Sequence, residues 1–309
     1  MPNLIIDTDT GSDDAIALLM ALAQPDASVK ALTTVAGNVP LDQATRNAKS
    51  TLRVADRPEI PVFVGCDRPL IQTLETATEV HGADGLGDVN LPDPDLASQD
   101  EHAVPALVRL AAESGGADDL ITLGPLTNVA AALAIDPDLL TRFRQVVIMG
   151  GAPDMVGNVS DMAEFNIWVD PEAAARVFAA PGTRVMVGWN VSLSAGMVSP
   201  EQRRAMAEVG TACGRFAHDV TAVVEAFCHR ELGIEAFALP DPLAVAIALD
   251  PAIATRTQTI GVTVGTDTQA RGATFPTHLN HDAPPTEIVW EADADAFQQQ
   301  MFAALSRLP

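Results

Sequence analysis

Four carboxylates fall within eight residues in Asp7-Thr8-Asp9-Thr10-Gly11-Ser12-Asp13-Asp14. At an effective dielectric of about 20, two carboxylates roughly 4 Å apart repel by about 4 kcal/mol, so acids that converge need either protonation or a cation. Oxygen donors with no Cys or His beside them favour Ca²⁺ or Mg²⁺ over zinc. A plainer reading needs no metal: Ser12 or Asp13 caps a helix, Asp14 complements its positive end, and Asp7 and Asp9 are solvated. That accounts for one or two of the acids. Asp7 and Asp9 share strand parity, however, and are expected to point to one side as the chain leaves a sheet.

The flanking residues place these acids on a strand-to-helix turn. Residues 4–6 form a short apolar run read as a buried strand, and residues 15–23 are strong helix formers without a breaker. Such turns line ligand crevices in open α/β sheets. Strands are predicted over 29–35, 62–64, 120–123, 145–149 and 184–187. Helices are predicted over 41–55, over 104–113, after the turn Gly124-Pro125-Leu126-Thr127-Asn128, and from Asp170, an N-cap followed by Pro171. Residues 201–231 read as mostly helical, interrupted near Gly210 and Gly214, and Asp241-Pro242 opens an apolar helix to residue 249. Segments 258–264, 272–275 and 286–290 read as strands extending one edge of the sheet, before a closing helix over 294–306.

The fold class that follows is α/β: a single-domain, open, mostly parallel, Rossmann-like sheet flanked by helices, spanning 1–309 without repeat or linker. Residues 65–99 form a long loop rich in Pro, Gly and Asp, and loops this long are usually functional or disordered. Its glycines at His81-Gly82-Ala83-Asp84-Gly85-Leu86-Gly87 follow no strand and have the wrong spacing for a dinucleotide fingerprint.

A net charge of −23, with Lys30 and Lys49 as the only lysines, argues against nucleic acid or an anionic membrane as partner. With 48% hydrophobic residues the chain can bury a large core. Cys66, Cys213 and Cys228 form no CxxC pair. If Cys213 and Cys228 share one helix, about 22 Å separates them, too far for a disulfide. No leader and no apolar run of about 18 residues is read, so a cytoplasmic location is expected.

Acids 7, 9, 13, 14 and 241, Asn38, Asn158, Asn166 and Glu164 all fall after predicted strands or at helix starts, which describes one cleft. Carboxylates and carboxamides in number, with few Lys or Arg, suit a neutral polyhydroxylated ligand such as a sugar better than a phosphate. The P-loop, GxSxG and HExxH motifs are absent.

Asp7-Thr8-Asp9-Thr10-Gly11-Ser12-Asp13-Asp14 resembles the DxDxxxDD signature of the inosine-uridine-preferring nucleoside hydrolases. Thr33-Thr34-Val35-Ala36-Gly37-Asn38, His81-Gly82, Leu123-Gly124-Pro125-Leu126-Thr127-Asn128, Met149-Gly150-Gly151, Ala163-Glu164-Phe165-Asn166 and Asp241-Pro242 extend the resemblance in order and spacing to about residue 250. The resemblance implies a Ca²⁺-dependent N-glycosidase, with one ion per chain, that cleaves a ribonucleoside into base and ribose. It implies metal binding by Asp9, Asp14, Asp241 and the Leu123 carbonyl, with Asp9 also the general base. It further implies ribose contacts from Asp13, Asn158, Glu164, Asn166 and Asp241, Asn38 near both metal and sugar, Asp7 bracing the others, and a homodimer or homotetramer.

The chemistry agrees independently. Breaking an N-glycosidic bond develops positive charge on the sugar, which anionic side chains stabilise.

The chain departs from the family where the base would leave. Many members have His directly before the aspartate that is here Asp241; this chain has Pro240, and no Tyr at all. His81, His229, Asp219 and Glu225 are the candidate acids, and one of the two histidines is expected to take over part of that role. Trp168 and Ile167 are expected in the core, Trp189 is a candidate to flank the base, and Asn128 is read as support for its turn. His278 and His281 have chelating spacing but are read as surface. Two alternatives stay open: a ribose- or nucleoside-binding protein that has lost catalysis, and a Mg²⁺-dependent phosphohydrolase built on Asp7 and Asp9.

Overall fold

The computed structural model describes residues 3–280 and 282–309. The first strand, β1 (Asn3–Thr8), runs into α1 (Ser12–Leu22) through the acidic turn. Then follow β2 (Ser28–Thr34), α2 (Leu41–Val54), β3 (Val62–Val64), the single turn α3 (Thr78–His81), α4 (Ala103–Ser114), β4 (Asp119–Thr122), α5 (Thr127–Ile135) and β5 (Gln145–Met149). Next come α6 (Phe165–Val169), α7 (Pro171–Ala179), β6 (Arg184–Val187), α8 (Trp189–Ser192), β7 (Met197–Val198), α9 (Pro200–Glu208), α10 (Ala212–Val220) and α11 (Ala222–Phe227). The chain closes with β8 (Phe237–Ala238), α12 (Pro240–Leu249), β9 (Ala254–Val264), β10 (Thr274–Thr277), β11 (Pro285–Ala292) and α13 (Ala294–Arg307).

Among the described residues nine strands form one sheet in the order β10-β9-β11-β6-β5-β4-β1-β2-β3, while β7 and β8 make a separate ribbon. Neighbours from β11 through β3 pair in parallel, and β9 pairs antiparallel with β11 and β10. The expected open, mostly parallel sheet is therefore present, and the three late segments extend one edge as anticipated. Strand order reverses between β1 and β4, the point where the crossovers diverge and a crevice opens beyond the strand carboxyl ends. Asp9 follows β1 there and Leu123 follows β4.

Alternation along the strands builds two cores. Leu4, Ile6, Leu32, Ile121 and Val147 face α1, α12 and α13, whereas Ile5, Ala31, Leu120, Val146 and Ile148 face α4, α5 and α7. Every residue of α1 is buried and it packs along α12, so the acidic turn is anchored to a helix with no solvent face.

The stretch from 201 to 231 differs from expectation. Gly210, at φ +86, ends the first helix, but Gly214 lies inside α10, close against the Met206 carbonyl. The second break is at Thr221, whose hydroxyl donates back to the Ala217 and His218 carbonyls. Cys213 and Cys228 consequently stand on separate segments, both free. Residues 65–99 are knit together: Asp84 accepts from the amides of Leu86, Asp88 and Asn90, and Asp88 from those of Ala83 and Asp84. His278 is exposed; His281, its expected partner, lies outside the described residues. Among the described residues no helix is long and apolar enough to cross a membrane.

Candidate active site

Beyond β1 the backbone leaves the sheet with Asp9 fully buried. Its Oδ2 accepts from the Asn38 amide at 2.6 Å, while Oδ1 is buried without a hydrogen-bond partner. Gly37 and Gly124 press against this carboxylate: a Cβ on Gly37 would lie 2.1 Å from Oδ2, and one on Gly124 2.7 Å from Oδ1. Only glycine lets the turns after β2 and β4 close so tightly on Asp9. Asp14, at the third position of α1, accepts from the Gly11 amide (2.8 Å), the Thr8 hydroxyl (2.6 Å) and Asn38 Nδ2 (3.1 Å). Asn38 thus joins the two acids.

Asp13, Asp14 and Asp241 each place a carboxylate oxygen within 4.8 Å of the others. One difference from expectation is that this tight group contains Asp13, with Asp9 beside it rather than within it. Asp9 Oδ2 is taken up by the Asn38 amide, whereas Asp13 lies in the first turn of α1 with the Asp241 amide at the start of α12 tempering its pKa. Burial raises the pKa of all four acids. Asp13 is pushed up to about 6, and Asp9 and Asp241 well above the usual carboxylate range, with neighbouring aspartates adding to the shift. So many buried carboxyls at van der Waals range cannot all ionise unless a cation lies among them. The donor set is oxygen only, and the buried Oδ1 atoms of Asp9 and Asp13 lack partners, so the residues present fit a hard divalent ion.

The opposite wall comes from β5 and α6. Glu164 caps α6: Oε1 accepts from the Asn166 amide (2.8 Å) and Oε2 from the Gly151 amide (2.8 Å), and burial pushes its carboxyl up to about 7. Asn166 Nδ2 donates to the Leu123 carbonyl at 2.7 Å, tying α6 to the end of β4. Asn158, on an exposed loop, accepts from the Phe165 amide at 2.9 Å. Asp7 lies behind the site, accepting from Thr33 and from Asn128 Nδ2, with its carboxyl pushed up to about 7 by burial. Asn128 also donates to the Thr34 carbonyl and accepts from the Cys66 amide. It braces three strand ends, more than the turn support first assigned to it.

Ser12, Asp13, Asn38, Leu123, Asn158, Glu164, Asn166 and Asp241 line one side of a cavity of about 600 Å³. The rest of the lining is largely apolar, with Trp168, Trp189, Leu193, Val224, Phe227, Leu232, Leu239 and Pro240, and it also includes Glu75 and Glu79. Trp168, expected in the core, is a cavity wall. The Arg271 guanidinium lies 3.8 Å over its ring and donates to its carbonyl, filling the position a core neighbour would take. Ile167 is fully buried as expected, and Trp189 reaches the cavity.

The candidate acids separate clearly. His81 lines the cavity; its Nδ1 lies 2.8 Å from the Ser12 hydroxyl and accepts from the Ser12 amide at 3.3 Å. Burial pulls its pKa down to about 4, so at neutral pH it is an uncharged imidazole. His229 is not brought to the site: it is exposed beyond α11 and paired with Glu235 at 2.9 Å. The π-turn over Cys228–Leu232 sends Cys228 and Leu232, not His229, toward the cavity. Asp219 pairs with His218 and Glu225 with Arg203, both away from the lining.

A family model described as inosine-uridine preferring nucleoside hydrolase matches residues 4–299. The chain is 37% identical over 297 residues to the pyrimidine-specific ribonucleoside hydrolase RihA of Klebsiella pneumoniae (strain 342), with 95% of each chain covered. A plant nucleoside hydrolase, PpNRh1, superposes with a TM-score of 0.93 at 32% identity over 99% of each chain. A purine-preferring ribonucleoside hydrolase from Gardnerella vaginalis does so with a TM-score of 0.93 at 30% identity over 98% of each.

Proposed function

The chain belongs to the inosine-uridine preferring nucleoside hydrolase family and is an enzyme of ribonucleoside hydrolysis, and from that premise we propose a Ca²⁺-dependent reaction in which Asp9 is the general base and pyrimidine ribonucleosides are the preferred substrates. The observation that carries the mechanism is the buried group of Asp9, Asp13, Asp14 and Asp241 at the switch point of the sheet. Asp9, Asp14, Asp241 and the Leu123 carbonyl would hold the ion, which supplies a Lewis acid that lowers the pKa of a water.

Asp9 Oδ1, unpartnered and buried, takes the proton of the attacking water. The water oxygen forms its bond to C1′ as the C1′–N bond breaks, and the electron pair leaves with the base. The carboxylates along the polar wall stabilise the positive charge that develops on the ribose. Asn158, Glu164 and Asn166 orient the sugar hydroxyls, which converts attack into a near-unimolecular step. His81 donates a hydrogen bond to the departing base.

The preference for pyrimidines draws support from the name of the full-length relative at 37% identity. It also fits the site, because His81 lines the cavity and can donate to a pyrimidine carbonyl.

Ribose release from a panel of purine and pyrimidine ribonucleosides, for the native enzyme and Asp9→Ala, tests this reading. Turnover led by uridine or cytidine and abolished in the variant is expected. Binding without turnover would instead favour a protein that has kept its sugar site and lost catalysis, an alternative that Pro240 motivates.

A further inference from the structure

The amino end of α1 has a gap in its capping. Gly11 occupies the N-cap and has no side chain, so the first helical amide, that of Ser12, needs an acceptor from elsewhere. That acceptor is His81 Nδ1, 69 residues away in sequence. Gly11 makes the approach possible: a Cβ there would stand 3.0 Å from His81 Nδ1 and 2.8 Å from Asn38 Nδ2. The imidazole is also pinned through its own backbone, whose amide donates to the Ala77 carbonyl and whose carbonyl accepts from the Gly87 amide.

A backbone N–H can only donate, so Nδ1 must carry a lone pair and the ring proton must be on Nε2. The Ser12 hydroxyl, 2.8 Å from the same nitrogen, adds a second donor to it. The competing arrangement is within reach: Asp13 Oδ1 is 3.7 Å from Nδ1 and has no hydrogen-bond partner. An Nδ1–H tautomer would turn to that carboxylate and present a bare Nε2 to the cavity.

We propose that Ser12 is a positioning residue that holds His81 in its Nε2–H tautomer, so that this N–H donates to the base as it departs. The inference rests on the reading of His81 as the leaving-group donor. In the balanced reaction the hydroxyl of water ends on C1′ and its other hydrogen on the base. His81 Nε2–H stabilises the electron pair that the base carries away until that proton arrives.

The test compares two substrates in the presence of Ca²⁺: uridine, which needs help at the base, and p-nitrophenyl β-ribofuranoside, whose leaving group needs little. Ser12→Ala is expected to lower kcat on uridine about tenfold and to raise the nitrophenyl-to-uridine rate ratio about fivefold or more, in the range of supporting hydrogen bonds around reacting groups. Ser12→Thr, which keeps the hydroxyl, should return the ratio toward the native value. A merely structural role would depress both substrates alike and leave the ratio unchanged, which overturns the proposal.

Histidine ¹⁵N spectra of the native enzyme, assigned against His81→Gln, report the tautomer directly. An unprotonated Nδ1 and a protonated Nε2 are expected, and the reverse overturns the proposal. If His81→Ala also leaves the ratio at its native value, the reading of His81 itself fails. If His81→Ala shifts the ratio and Ser12→Ala does not, only the role of Ser12 fails.

Discussion

The two halves of the cavity are built differently. The polar half hangs from the ends of β1, β2, β4 and β5, and apart from the exposed Asn158 its acids and amides are buried and interlocked: Asn38 holds Asp9 and Asp14, Asn166 holds Leu123, and Glu164 caps α6. The other half is assembled largely from α8, α11 and the residues before α12, and these are apolar. Leu193 and Leu232 there remain 42% and 59% exposed, too open to be fixed by packing. A reaction that needs charge placed to within fractions of an ångström belongs on strand ends. Recognition of a flat base tolerates a looser wall, so substrate preference can change without rebuilding the chemistry.

The largest expected effect lies on the rigid side. Asp9→Ala or Asp14→Ala should lower kcat by about 10³-fold or more on every nucleoside, since base and metal site fail together. A variant that loses activity on one base alone would break the contrast between the halves. Ribose release across the panel is the measurement.

Metal removal comes next, and its sign follows from the carboxyls. In the metal-free chain Asp7 and Glu164 have pKa values pushed up to about 7 and Asp13 to about 6. Unfolded carboxyls ionise near pH 4, at about their ordinary values. Between about pH 4 and 7 the unfolded state therefore binds fewer protons than the folded one, and stability falls as pH rises through that window. Chelated protein is expected to melt several degrees lower at pH 8 than at pH 5, and Ca²⁺ should restore the difference at pH 8. Calorimetry that finds a flat or rising melting temperature on going from pH 5 to pH 8 without metal would contradict the buried-acid account.

On the looser side, Trp189→Ala and Phe227→Ala should change the ratio of kcat/KM between uridine and inosine by about tenfold, an effect of about 1.4 kcal/mol. The rate on a nitrophenyl riboside should move less than the rate on either nucleoside. Arg271→Ala is expected to have the smallest effect. The cation over Trp168 and its 3.6 Å approach to Glu75 are part-exposed contacts, so a rise in KM of a few fold with little change in kcat is anticipated, reported by altered tryptophan fluorescence.

The same contrast governs what could be read from the sequence. The acids at 7, 9, 13 and 14 were legible because they fall within eight residues and punctuate a strand-to-helix turn. The sheet was legible because apolar runs and helix formers alternate. Asn128 looked like a turn residue because its partners Cys66, Thr34 and Asp7 lie 62, 94 and 121 residues away. Trp168 looked like core for a similar reason, since the Arg271 that covers it comes 103 residues later. His229 was attractive as a helix-end histidine, but a π-turn rotates it to solvent, and no local pattern announces such a turn. The apolar wall comes from four separate segments with no shared spacing, so only the folded chain brings it together.

The most direct test of the central claim is ribose release from uridine by chelated enzyme as Ca²⁺ is added back, run in parallel with Asp9→Ala. The account predicts no turnover without metal, saturable recovery with Ca²⁺ in the native chain, and none in the variant at any concentration. Undiminished turnover after chelation, or recovery by Asp9→Ala to the native rate, would contradict it.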